Sequence, residues 1–371
     1  MREISSLELY VLVRELGVLA GGRLQRLYQL DEQTLRLHFY SAGKERMLLV
    51  QLPARAHLTR YIAEAPKEPT QFAMQLRKHL EGGLVEGVEQ HDFDRTFFLR
   101  LRRGERKLTL VFELFSHGNC ILVGEDGKIL SCLRSGEWRD RKIRRGERYV
   151  FPALTKADPR ELSAKKLADL LSSEKKIISA LAQGINLGSA YTEEALLRSG
   201  IPFEKKAKEL GAGEVERLLV SLREIVEVAE SPNPSVFYRE GSPVDYALFQ
   251  LRKHERIEAK VFASLSEAMD EFYASAKSEE GASELEQRKE KLLFTLENQK
   301  RSVEELLARA AEAKLAGDGL YERFVEVEEM LSLIREMRRA GSSWEDVERE
   351  LRKRKGFAGL DPTRGKLILE L

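Results

Sequence analysis

Apolar residues at Leu7, Leu9, Tyr10, Leu12, Val13 and Leu16 recur with helical spacing directly after Ser5-Ser6. A serine cap followed by such a face predicts a first helix, ended by Gly17 and Gly21-Gly22. The period then drops to two. Residues 23–29, 34–40 and 46–52 alternate apolar and polar, with Asp31-Glu32 and Ala42-Gly43 at the turns, as in an antiparallel meander. Thr70 caps a second predicted helix whose apolar face is Phe72, Met74, Leu76 and Leu80. From residue 84 the strand period returns. Leu99 and Leu101 alternate with Arg100 and Arg102, and a turn at 103–106 leads to Leu108, Leu110, Phe112 and Leu114. A further turn at 116–119 and the pair Asp126-Gly127 give two more strands. Residues 1–155 therefore read as an antiparallel, mostly β domain with two helices.

Phe151-Pro152 and Asp158-Pro159 mark a boundary, after which helices are predicted at 163–171, 174–183, 192–199 and 213–230. Gly184-Ile185-Asn186-Leu187-Gly188-Ser189 makes a tight turn between two of them. This helix-hairpin-helix-like arrangement exposes backbone N–H groups that can hold a phosphate, which nominates Gly184, Asn186 and Gly188. Residues 236–238 and 244–251 read as strands that rejoin the first sheet, and Ser264 caps Leu265, Ala268, Met269 and Phe272. Leu292, Leu296, Gln299, Val303, Leu306, Ala310, Ala313, Gly317, Leu320, Phe324, Val327, Leu331 and Ile334 alternate steps of four and three, a coiled-coil seam. One helix over 283–339, weak at Gly317 and Gly319, would reach about 85 Å. Its seam requires a second copy, as in a homodimer, or chain beyond Leu371. A short helix follows from Trp344, and a strand from Lys366 to the end, which implies a piece of a longer protein. The fold class is α+β, in five parts: 1–155 (β-rich), 156–231 (helical), 232–280 (strands and helix rejoining the first part), 281–340 (coiled-coil helix) and 341–371 (the start of a small domain).

With 62 basic and 61 acidic residues, the net charge of +1 favours no polyanion globally, so any nucleic-acid surface must come from local sorting. Such sorting is present. Residues 133–148 hold seven basic and three acidic residues, among them Arg134, Arg139, Arg141, Lys142, Arg144 and Arg145, with Trp138 between. Residues 95–107 hold six basic and one acidic. Guanidinium groups bind phosphate in bidentate fashion, and an aromatic can stack on an exposed base. Nucleophile, zinc-protease and phosphate-loop motifs are missing, and Cys120 and Cys132 are too few for a cysteine zinc site. No metal, cofactor or catalytic residue is expected. No apolar run approaches a membrane span, and the N-terminus, with Glu3 and Glu8, lacks a signal-peptide pattern, so a cytoplasmic protein is expected.

Three blocks, residues 69–80 (PTQFAMQLRKHL), 92–95 (DFDR) and 113–119 (ELFSHGN), occur here in an order and spacing that resembles the NFACT family of ribosome quality-control factors. The first helix, Tyr28-Gln29, Arg145-Gly146, 184–189, 264–273 and 341–345 resemble family positions too, with Glu8 where the family carries an aspartate. The resemblance covers essentially the whole chain and stops before the family's C-terminal NFACT-R domain. It implies a β-rich head of DNA-glycosylase-like fold. It also implies binding to the large ribosomal subunit carrying a stalled peptidyl-tRNA, and recruitment of charged tRNA, of the alanyl class, for mRNA-independent tailing. The ribosome itself forms the peptide bond, so the protein is not an enzyme; a ubiquitin ligase is a partner only in a eukaryote. The tRNA-engaging Asp-Arg pair falls on Asp94 and Arg95, with Glu8, Arg77, Lys78, His117 and Asn119 as further tRNA contacts. Two alternatives are a nucleic-acid-binding protein of glycosylase-like fold without catalysis and a matrix, fibronectin-binding protein. A glycosylase would need an N-terminal proline, and here Arg2 precedes Glu3.

Overall fold

The computed structural model describes residues 2–62, 64–138 and 141–370, without side chains at 275–291 and 294. Two compact units divide the chain, Met1–Glu280 and Gly281–Leu371.

In the first unit, Ser5 caps α1 (Ser6–Leu16) through a reciprocal capping box with Glu8. Nine strands form one antiparallel sheet: β1 (Arg23–Gln29), β2 (Thr34–Ser41), β3 (Lys44–Gln51), β4 (Arg55–Thr59), β5 (Leu84–Gln90), β6 (Thr96–Arg103), β7 (Arg106–Glu113), β8 (Asn119–Gly124) and β9 (Ile129–Cys132). Their order is β4-β3-β2-β1-β5-β6-β7-β8-β9. Alternation sends Leu35, Leu37 and Phe39 of β2 and Phe97, Leu99 and Leu101 of β6 into the core, where α1 and α2 (Gln71–Leu80) pack. The helix α2 has its predicted Thr70 cap, but its buried face is Ala73, Leu76 and Leu80; Met74 is half exposed. The 3.6-residue turn puts position 73, not 74, in line with 76 and 80.

A second apolar cluster lies on the other face of β6–β9: Phe98, Val111, Ile121, Val123 and Ile129. The segment carrying β10 (Gly136–Glu137), β11 (Lys142–Ile143), Tyr149 and Phe151 covers it. Helices α3 (Ala164–Leu170), α4 (Ile177–Gly184), α5 (Ser189–Ser199) and α6 (Ala212–Val228) share the main core with the sheet, so the segments 1–155, 156–231 and 232–280 are joined by one hydrophobic cluster. The strands expected to rejoin the first sheet do not. β12 (Ser235–Arg239), β13 (Ser242–Ala247) and the unforeseen β14 (Glu258–Val261) form their own sheet, ordered β13-β12-β14. The helix α7 (Leu265–Glu322) begins against the sheet, where Glu15 accepts hydrogen bonds from the backbone N–H of Leu265 and Ser266. Asp270 accepts from Thr59 (2.6 Å), from the Arg60 backbone (2.8 Å) and meets His57 Nε2 at 3.1 Å.

In the second unit the helix runs through Gly317 and Gly319 and is interrupted at Arg323, before α8 (Phe324–Arg339). A tertiary tie sits at the break. The Arg323 guanidinium donates to the carbonyls of Glu370 and Lys355 and pairs with Glu326. α9 (Trp344–Leu351), capped by Ser343, and the hairpin β15 (Phe357–Asp361) with β16 (Lys366–Leu369) pack on α8 around Met330, Val347 and Leu351. The seam residues Leu292, Leu296, Val303 and Leu306 are exposed.

Candidate nucleic-acid interface

The chain enters β6 through a turn that is strained. Asp92 and Phe93 both have positive φ (40° and 58°), unfavourable for non-glycine residues by about 1–3 kcal/mol each. Such a turn persists only when its surroundings fix it, and here they do. The Phe93 ring is buried, 5.5 Å from the Tyr10 ring, with the Arg160 guanidinium 4.7 Å over it. Asn186 donates its amide to the Phe93 carbonyl (2.9 Å) and to Asp94 Oδ1 (3.2 Å), while its oxygen accepts from Ser6 (2.8 Å). Gln90 donates to the carbonyls of Asp94 and Ser6. Three distant segments thus hold one turn, which presents Asp94 and Arg95, both partly exposed.

Arg95 pairs with Glu3 at the edge of a cleft of about 460 Å³, lined also by Ser5, Lys156, Asn186 and Gly188. Gly188, at φ +99°, turns the chain into α5, and no side chain caps that helix. A Cβ at 188 would overlap Ser5, so the glycine is needed for the close approach of the turn to α1. The cleft holds both signs of charge: Arg2, Arg95 and Lys156 line it together with Glu3 and Glu8, and Lys156 is exposed.

Below the cleft sits a buried charge network. Glu8 has no exposed surface; it caps α1, pairs with Arg2 and accepts from the Tyr191 hydroxyl (3.0 Å). Arg2 also pairs with Asp245 (2.9 Å) and lies 3.7 Å over the Tyr246 ring. Burial works against the Arg2 charge, but the carboxylates of Glu8 and Asp245 hold it firmly protonated. A side chain sealed in this way does not touch a macromolecular ligand. Glu8 supports the cleft from beneath.

The structure therefore gathers Asp94, Arg95, Asn186, Gly188 and, under them, Glu8. The other sequence candidates lie elsewhere. Gly184 is a close-packing position, since a Cβ there would press on Leu170. Arg77 donates to the Leu27 carbonyl (2.7 Å) and lies over Tyr28. Asn119 is buried and closes its turn through the Arg134 and Cys120 backbone; Arg134 in turn donates to the carbonyls of His117 and Gly118. His117 itself is exposed. The cations of 134–148 do not form one exposed face. Arg141 is drawn inside, into a two-pronged pair with Glu113 that also accepts from Tyr149, and Lys142 pairs with Glu137. Burial and the Glu113 carboxylate together push the Tyr149 hydroxyl far up. Arg144 is exposed, as are Lys78 and Arg145, whose charges both lower the His79 pKa. Arg139 lies outside the described residues. Sequence reasoning missed Arg2, Ser6, Phe93 and Lys156; positive φ at a non-glycine pair carries no one-dimensional signal. Among the described residues no group of three His, Cys, Asp or Glu is placed to hold a metal ion.

The chain matches the description "NFACT N-terminal and middle domains" over residues 5–362. It belongs to the NFACT family. Among relatives of the family, it is 27% identical to an archaeal Rqc2 homolog, aRqcH, of Methanocaldococcus jannaschii, over 95% of this chain and 55% of that one. It is 26% identical to the human ribosome quality control complex subunit NEMF, over 92% of this chain and 35% of that one. This NFACT chain thus spans about half the length of the archaeal relative and a third of the human one. The solved N-terminal structure of the fibronectin/fibrinogen-binding protein of Streptococcus suis shares the fold, with a TM-score of 0.60 and 25% identity over 73% of this chain and 99% of that one. Among the described residues no helix is long and apolar enough to cross a membrane.

Proposed function

We propose that this NFACT chain is the RNA-contacting part of a ribosome quality-control factor, which engages tRNA at the Asp94–Arg95 turn. The observation that carries the reading is the strained turn itself, fixed by Asn186, Gln90 and the buried Phe93 so that a carboxylate and a guanidinium meet solvent side by side, with Arg95 at the edge of a cleft that Lys156 also lines. Arg95 is paired with Glu3 only at a partly exposed position, so a phosphate can compete for it. Asp94 offers a carboxylate to a base-edge N–H.

The names of the archaeal and human relatives support the ribosomal setting. There the chain would dock on the large subunit beside a stalled peptidyl-tRNA and hold a charged tRNA, of the alanyl class, for tailing without mRNA. No bond is made by this chain; it positions, and the ribosome does the chemistry. The exposed seam of α7 would pair as a coiled coil, with a second copy or with further chain. The setting is cytoplasmic.

The test is purification of the tagged 371-residue chain from cells, with sequencing of bound RNA. Enrichment of large-subunit RNA and one dominant tRNA is expected. Recovery of fibronectin-type protein with RNA no higher than a mock purification would overturn the reading.

A further inference from the structure

The strand β6 has a second end. There it turns at Gly104 into β7, and the register sets Arg103 opposite Arg106 and Arg102 opposite Lys107. Like charges directly opposite on an antiparallel pair destabilise it. Arg102 is relieved by Glu86 at 2.7 Å. Among the described residues, Arg103, Arg106 and Lys107 have no carboxylate within ion-pairing distance, and Glu105 in the same turn pairs with none of them. The last turn of α2 ends against this hairpin, where Arg103 donates to the Lys78 carbonyl. His79 marks the meeting point. Burial lowers its pKa, and so do the charges of Lys78, Arg106, Arg103 and Arg145. The end of α2 and the β6–β7 tip therefore bring Lys78, Arg103 and Arg106 together, all exposed, and the charge of the exposed Arg145 also acts on His79.

We propose that Lys78, Arg103, Arg106 and Arg145 form a second RNA footprint, which holds the phosphate backbone of duplex RNA without reading its sequence. It rests on the RNA-binding reading above and is separate from the Asp94–Arg95 corner. Eight residues of extended strand part Arg95 from Arg103, about 26 Å. A polyanion across this surface removes the cross-strand repulsion that the free protein carries, so binding is stronger than the sum of exposed contacts. Guanidinium groups meet phosphate oxygens in pairs. The tip from Arg102 to Lys107 has no apolar side chain to enter a lipid surface, which favours RNA over a membrane.

The experiment measures binding of the 371-residue chain to a generic RNA duplex of about 20 base pairs and, in parallel, to tRNA, between about 50 and 200 mM salt. The variant R103Q/R106Q/R145Q is expected to bind the duplex about 10- to 100-fold more weakly at the low end. Its slope of log affinity against log salt falls by about 2 to 3. The lysine version of the same triple restores most of that slope. Asp94→Ala with Arg95→Ala leaves the duplex slope within about 1 of the wild type. Should the triple variant unfold, Arg145→Gln alone, away from the β6–β7 pairing, still reads a loss of about 1. An unchanged slope in a folded glutamine variant overturns the footprint while leaving the tRNA corner standing. Binding to phosphatidylserine vesicles in place of the duplex also overturns it. If the wild type binds neither RNA, the proposed function itself fails.

Discussion

The two ends of β6 carry the same kind of residue in opposite settings. At the Arg95 end, charge is embedded: Glu8 is buried and paired with the partly buried Arg2, Asn186 ties Ser6, Phe93 and Asp94, and Arg95 itself has Glu3. At the Arg103 end, cations face each other across the hairpin with no carboxylate in ion-pairing range of Arg103 or Arg106 among the described residues. The first arrangement fixes geometry and can discriminate among ligands. The second sets a potential and can only attract. Where a charge is held, not how many charges there are, separates recognition from attraction.

If that contrast is right, stability and binding should separate along the strand. The largest loss is expected for Glu8→Ala. It leaves Arg2 with one carboxylate partner and removes the Glu8 half of the α1 capping box, and should cost about 3 kcal/mol in denaturant unfolding. Asn186→Ala should cost about 1–2 kcal/mol by the same measurement, because the Phe93 carbonyl and Ser6 lose their partner. It should also weaken tRNA binding, since the turn is no longer pinned. Arg103→Gln should change stability by no more than about 0.5 kcal/mol, in the stabilising direction. An Arg103→Gln loss as large as that of Asn186→Ala would erase the distinction between the two ends.

Acid should act on the unit through a third place, where α7 begins. Burial lowers the His57 pKa below its ordinary value, against the hydrogen bond that Asp270 accepts from its Nε2. The unfolded chain therefore binds a proton that the folded chain refuses, and stability falls as pH drops through about 6.5. Asp270 is buried too, which alone would raise its pKa, but His57, Thr59 and the Arg60 N–H hold it low. Its contribution is present at neutral pH and is lost as pH falls through its lowered folded-state pKa. His57→Gln should flatten the fall in melting temperature between about pH 7 and pH 5. An equally steep fall in that variant would place the proton elsewhere.

Much of the frame was legible in one dimension because it is local. Ser5 and Thr70 cap helices where the cap-then-apolar pattern puts them, and the meander and the 96–113 hairpin follow from strict alternation. What stayed hidden depends on partners far along the chain. Glu8 looks like a surface acid until Arg2 and Tyr191 close over it. Arg141 looks like a phosphate ligand until Glu113 takes it. Residues 235–247 alternate correctly for a strand, yet alternation does not say which sheet they join. The helix break falls at Arg323, and not at the glycines, where carbonyls of Lys355 and Glu370 accept from its guanidinium. At the candidate site, Asp94 and Asn186 were both nominated, but 92 residues separate them and nothing local says that they meet.

The central claim is that the Asp94–Arg95 turn is a ligand-facing device and not merely a strand entrance. Equilibrium binding of tRNA at physiological salt to the wild type and to Asp94→Ala with Arg95→Ala tests it most directly. The account predicts at least about tenfold weaker binding in the variant, with stability within about 1 kcal/mol of the wild type. Equal affinity in a folded variant would contradict it.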